Sequence, residues 1–107
     1  LKSHFDKIDK NYKVEFCSNA EPFLTQPGKL ITFVKNAIKN KTKYSPDLST
    51  SGGTSDARFI AKYCPVVEFG LVGKTMHQIN ENVSIEDINL LSEIYYQLLN
   101  EIFLVNN

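Results

Sequence analysis

The chain reads as an α/β protein, and three observations carry that reading. Residues 12–17 and 65–69 have the patterns of short strands, and two longer stretches, from near Thr25 to about Asn40 and from Ser84 onward, have the apolar spacing of amphipathic helices. Between them a glycine-rich polar turn, Ser51-Gly52-Gly53-Thr54-Ser55, opens a further helix. The segment from Thr50 to Glu81 organises the rest: turn, helix, buried strand, and a loop carrying His77, one of two histidines. That order sets backbone donors and an imidazole at the ends of neighbouring elements, where open α/β sheets build their sites.

At 107 residues and 42 % hydrophobic, the chain has the material for one domain with a modest core. Twelve basic residues balance twelve acidic ones and are spread along the chain, so there is no electrostatic footprint of a nucleic-acid or membrane-surface binder. No apolar run approaches the roughly 18 residues of a membrane span, and the first residues lack a signal-peptide pattern. A soluble, cytoplasmic protein without nucleic-acid or membrane partners is expected. The chain opens at Leu1 rather than methionine and is expected to be a piece of something longer.

Leu1, Phe5 and Ile8 lie on one helical face, as in the last turns of a helix, and Asn11 breaks it. Tyr12-Lys13-Val14-Glu15-Phe16-Cys17 alternates with period two, the pattern of a half-buried strand. The connector Ser18-Asn19-Ala20-Glu21-Pro22 reads as a domain boundary or hinge. Thr25 is placed to cap the next helix, with Pro27 in its first turn and Leu30, Phe33, Val34, Ala37 and Ile38 along a core-facing stripe.

A turn at Tyr44-Ser45-Pro46-Asp47 leads into Leu48-Ser49-Thr50, long enough for a short strand feeding the glycine turn. Thr54 or Ser55 can cap a helix from Asp56 to about Tyr63. Such a turn suits a carboxylate or phosphate, and it serves equally as a turn alone. Pro65-Val66-Val67-Glu68-Phe69 reads as a buried strand in which Glu68 must be paired, exposed at a sheet end, or functional; structural pairing is expected. Cys17 and Cys64, in apolar settings without a second cysteine nearby, read as buried free thiols. His77 is either a surface residue or a ligand, and His4 a surface residue. The last helix begins at Ser84, with Glu86 and Asp87 in its first turn and a stripe of Ile88, Leu91, Tyr95, Leu98 and Ile102 widened by Ile94, Leu99 and Phe103. Val105-Asn106-Asn107 reads as a chain end.

Taken together, Gly52-Gly53-Thr54-Ser55-Asp56 with Arg58-Phe59-Ile60-Ala61 behind it, Val66-Val67-Glu68-Phe69-Gly70, and Thr75-Met76-His77 followed by Asn80-Glu81 resemble the C-terminal part of the two-zinc amidohydrolase and aminopeptidase family, in its desuccinylase branch. Glu21-Pro22-Phe23-Leu24-Thr25 resembles that family's return from its lid into the catalytic domain. The resemblance runs in consistent order along essentially the whole chain. It implies that residues 1–19 are the last helix and strand of a ferredoxin-like lid that dimerises. Residues 20–107 would then be the C-terminal portion of a zinc-aminopeptidase-like catalytic domain, in the order helix-strand-helix-strand-loop-helix. It further implies two zinc ions per active site, with cobalt as a substitute, and His77 as ligand to one of them. Gly52, Gly53, Thr54 and Ser55 would hold a substrate carboxylate.

The implied reaction is hydrolysis of N-succinyl-LL-2,6-diaminopimelate to succinate and LL-diaminopimelate, a step toward lysine and peptidoglycan precursors, by a homodimeric enzyme acting on a small substrate rich in carboxylates. None of the family's catalytic residues has a match in these 107 residues, so the isolated chain is expected to be inactive. Many relatives carry an asparagine two residues before the threonine, where this chain has Gly73, which can offer a substrate only its backbone. A sibling deacylase of the acetylornithine deacetylase or aminoacylase type is the nearest alternative. A non-catalytic carboxylate-binding or interaction module is the other. A chain of this kind should expose the apolar face that meets the rest of its sheet, and so self-associate.

Overall fold

Two helices packed on each other carry the core. The computed structural model describes residues 1–18, 21–51, 53 and 55–104. Its helices are α1 (Lys2–Phe5), α2 (Lys29–Thr42), α3 (Ala57–Ile60) and α4 (Ile85–Leu104). The predicted stripe of α2 brings Val34, Ala37 and Ile38 into one cluster with Ile94 and Leu98 of α4, with Leu30, Phe33, Leu90 and Ile102 packed at its edges. Ala37 is fully buried and Ile94 is 3 % exposed. Full burial of an aliphatic side chain of this size stabilises by roughly 1.5–3 kcal/mol. At the rim, Lys41 Nζ and Glu93 Oε2 form an ion pair at 3.1 Å between the two helices.

Cap chemistry sets the helix ends. Ser84 Oγ accepts from the Asp87 N–H at 3.0 Å, as its position predicts, and Glu86 and Asp87 occupy the first turn of α4. The start of α2 differs from expectation. Gly28 is its N-cap, in extended conformation and with no side-chain cap, so the helix begins one turn beyond Thr25. Thr25 is engaged elsewhere, its hydroxyl donating to the Val66 carbonyl. Lys43 ends α2 in the left-handed region (φ 65°), its N–H reaching the Lys39 carbonyl at 2.9 Å. The segment after α1 continues in turns to Asp9, whose Oδ1 accepts from the Asn11 N–H at 2.8 Å; this side-chain turn is the break expected at Asn11. α3 covers only Ala57–Ile60 of the predicted 56–63, and the remainder continues as turns.

Among the described residues there is no strand, so the three predicted at 12–17, 48–50 and 65–69 are not confirmed. A strand exists only where its N–H and C=O groups meet a ladder partner. Residues 65–70 are held instead by side chains. Thr25 donates to the Val66 carbonyl, and the Tyr95 hydroxyl donates to the Phe69 carbonyl at 2.6 Å. Val67 and Phe69 pack against the α2–α4 cluster, with the Phe69 and Tyr95 ring centroids 6.1 Å apart. Val66, Val67 and Phe69 are thus half-buried and Glu68 is exposed, while among the described residues the ladder is missing. Glu68 needs no partner because it is exposed, which corrects its expected pairing. In residues 12–17 only Tyr12 is half-buried, and Phe16 is 80 % exposed.

Cys17 and Cys64 are free, as expected, but exposed rather than buried. The radius of gyration is 19.6 Å, where a closed domain of this length has roughly 13 Å.

Candidate functional site

The first candidate surface is the polar turn before α3. Ser51 N–H donates to Ser49 Oγ at 3.0 Å, and Ala57 N–H donates to Ser55 Oγ at 3.1 Å, so Ser55 is the hydroxyl that meets the start of α3. Gly53 is exposed, and a β-carbon built on it would meet no atom within 4 Å, so the backbone there is open to a ligand. Gly52 and Thr54, the other two residues assigned to carboxylate binding, lie outside the described residues.

Arg58, in α3, is set apart in the sequence only as part of the motif that follows the glycine turn. It is the one arginine of the chain. Its guanidinium carbon lies 4.9 Å from the Phe59 ring centroid, and its Nε is buried without a hydrogen-bond partner among the described residues. A buried guanidinium N–H is costly to leave unmet, and its planar fork matches a carboxylate. A single arginine three residues after a run of hydroxyls was the signal available for it in the sequence.

The second candidate surface is the loop of residues 71–82. It is built from consecutive turns: Met76 N–H to the Gly73 carbonyl at 3.2 Å, Gln78 N–H to Thr75 at 3.1 Å, and Glu81 N–H to Gln78 at 3.2 Å. His77 sits exposed near its middle with φ 65°, a conformation that costs a non-glycine residue roughly 1–2 kcal/mol. Gly73 packs under Met76: a β-carbon at 73 would lie 3.1 Å from Met76 Cβ and 3.3 Å from its Sδ and Cε. The methionine side chain thus fills the space that an asparagine at this position would need.

Among the described residues no hydrogen bond or ion pair links the turn at Ser51–Ser55 to the loop that carries His77. Nor do the described residues contain a group of three or more histidine, cysteine or acidic side chains able to hold a metal ion. His77 therefore supplies one imidazole and no complete site; the chain fits zinc as the source of a single ligand and not as its binding site. A groove of about 730 Å³ lies elsewhere, between residues 23–31 and 61–65, and includes none of the candidate residues.

The family model of peptidase family M20/M25/M40 matches residues 4–101. The chain is 50 % identical over 107 residues to a succinyl-diaminopimelate desuccinylase of Pelagibacter ubique (strain HTCC1062), an alignment covering 96 % of this chain and 28 % of that protein. It is 58 % identical over 86 residues to the succinyl-diaminopimelate desuccinylase of Rhodopseudomonas palustris (strain HaA2), covering 80 % of this chain and 22 % of the relative. Over 107 residues it is 47 % identical to succinyl-diaminopimelate desuccinylase 1 of Ruegeria sp. (strain TM1040), with 96 % and 28 % covered. The chain thus spans about a quarter of the length of the curated relatives it matches.

Proposed function

Since the chain belongs to peptidase family M20/M25/M40, we propose that it is the C-terminal part of a zinc-dependent amide hydrolase that releases succinate from N-succinyl-LL-2,6-diaminopimelate. The observation that carries this reading is 50 % identity, sustained over 107 residues, to a relative named for that reaction. In this reading residues 1–19 end the lid and dimerisation domain, and residues 20–107 belong to the catalytic domain of a cytoplasmic homodimer serving lysine and peptidoglycan precursor synthesis.

The chain's own residues do two things in the reaction. The turn at Gly52, Gly53, Thr54 and Ser55 binds a substrate carboxylate through backbone N–H and hydroxyl groups, and Arg58, three residues further on and with its Nε buried and unpartnered among the described residues, provides the opposite charge. The loop presents the His77 imidazole as one ligand of a metal site that groups outside these residues complete. When bound, zinc, or cobalt in its place, supplies Lewis-acid polarisation of the scissile carbonyl. Gly73, having no side chain, contributes only its backbone, and Met76 packs against it. Among the described residues no group of three or more possible metal ligands forms, and in this reading the isolated chain is inactive.

A substrate panel tests the assignment. The full-length protein containing this segment is expected to hydrolyse N-succinyl-LL-diaminopimelate and to leave N-acetylornithine and N-acyl amino acids essentially untouched; the 107-residue chain hydrolyses none of them. Turnover of N-acetylornithine without turnover of the succinyl substrate would move the protein to a sibling deacylase. Arg58→Ala in the full-length protein should raise KM for the succinyl substrate by about 10- to 100-fold, the loss of one charge-assisted carboxylate contact.

A further inference from the structure

Thr75 is the one residue of 71–82 that is not exposed. Its hydroxyl makes two hydrogen bonds to a single distant residue, accepting from the Asn82 N–H at 2.9 Å and donating to the Asn82 carbonyl at 3.0 Å. Every other hydrogen bond within this loop among the described residues spans only two or three positions, so none of them ties one end of it to the other. The Thr75 hydroxyl spans seven. Between its two anchor points the chain must turn back within six residues, and His77 meets that demand by taking the left-handed conformation.

We propose that Thr75 is the positioning residue for His77, its reciprocal hydrogen bonds to the Asn82 backbone closing the loop and holding the histidine left-handed so that the imidazole is presented in one fixed place. Left to itself, a histidine at φ 65° relaxes to the right-handed or extended region, which residues with a β-carbon favour. The clamp supplies the opposing force. Two hydrogen bonds of ordinary length are of the same order as that preference, enough to hold a single strained residue and no more. The loop is therefore balanced on this one hydroxyl. Valine, which matches threonine in volume, would leave the Asn82 N–H and carbonyl unmet, whereas serine would keep both bonds.

The functional part of this assignment rests on the reading of His77 as a metal ligand, and two measurements keep the parts separate. In the 107-residue chain, NMR reads amide exchange at Asn82 and the backbone coupling constants of His77 for Thr75→Val and Thr75→Ser, with far-UV circular dichroism confirming that the helices are intact. Thr75→Val should speed exchange at Asn82 by about 10-fold, the loss of one net hydrogen bond, and remove the positive-φ signature of His77; Thr75→Ser should keep both. Unchanged exchange and coupling in Thr75→Val would overturn the clamp. In the full-length protein, chelator competition reads Zn²⁺ affinity. Thr75→Val should weaken one zinc by about 10- to 100-fold, the range for losing a group that orients a ligand, with Thr75→Ser close to wild type. A loosened loop with unchanged zinc affinity would overturn the positioning role while leaving the clamp in place. Absence of zinc binding in the wild-type full-length protein would overturn the ligand role of His77 and this assignment with it.

Discussion

The Tyr12 hydroxyl lies 2.7 Å from Asp6 Oδ1 and 3.0 Å from the Lys2 carbonyl, and its ring meets Phe5 edge-on at 5.5 Å between centroids. The hydrogen bond to Asp6, with a smaller contribution from desolvation, raises the phenol above its ordinary 10.0. Because the raised value belongs to the folded state, the folded chain holds this proton more tightly than the unfolded one. The stabilisation is therefore complete below pH 10 and is lost as pH rises through the raised value. An ultraviolet titration of the tyrosines should show one phenol ionising last, and Asp6→Asn should bring that step back toward the others. If Asp6→Asn left the late step in place, the hydrogen bond would not be its cause. Sequence alone offered alternation at Tyr12 and nothing about Asp6, since the contact depends on how the chain turns at Asp9 and Asn11. His77 shows the same limit. Its identity as a candidate was legible from a motif, whereas its left-handed backbone and the clamp at Thr75 depend on a loop closed across seven residues.

Helices α2 and α4 were legible because each carries its instructions within itself: a stripe at spacings of three and four, and for α4 a serine and two acids at the start. Their relative worth can be measured. Ser84→Ala removes one cap hydrogen bond and should cost about 1 kcal/mol, while Ile94→Ala opens the centre of the α2–α4 cluster and should cost about 2–5 kcal/mol, both read from urea denaturation. Equal losses would mean that the helix pair is not the core. The strands were not confirmed for the complementary reason. A short apolar run states which side chains seek cover, and Val66, Val67 and Phe69 are half-buried; the ladder belongs to neighbouring segments, which no local pattern contains. Where those neighbours are missing, hydroxyls from Thr25 and Tyr95 take the carbonyls instead. The start of α2 follows from the same contact, because a Thr25 hydroxyl committed to Val66 is not free to cap.

Over the whole molecule the accessible surface is 9416 Å², against roughly 6,000 Å² for a closed domain of this mass. Much of the excess is apolar and lies along one helix. Ile94 and Leu98 face α2, but Ile85, Ile88, Leu99 and Phe103, at successive spacings of three, eleven and four, fall on the adjoining face of α4 and remain at 71, 47, 51 and 66 % exposure. α4 is thus apolar over about half its circumference, and α2 covers only part of that arc. Helices apolar over so wide an arc belong between two layers rather than at the outside of one. This fits a chain that spans about a quarter of its relatives' length, with the second layer supplied by the remainder. In isolation, that face should drive self-association. Sedimentation equilibrium of the 107-residue chain should give a mass above 12.2 kDa that rises with concentration, together with binding of a hydrophobic dye. Ile88→Lys combined with Leu99→Lys should return it toward the monomer mass and weaken dye binding several-fold, with helix content unchanged because neither side chain belongs to the α2–α4 cluster. A wild-type chain that sediments as a monomer at every concentration and binds no dye would instead be a self-sufficient module, and the proposal that it is one part of a larger hydrolase would lose its physical support.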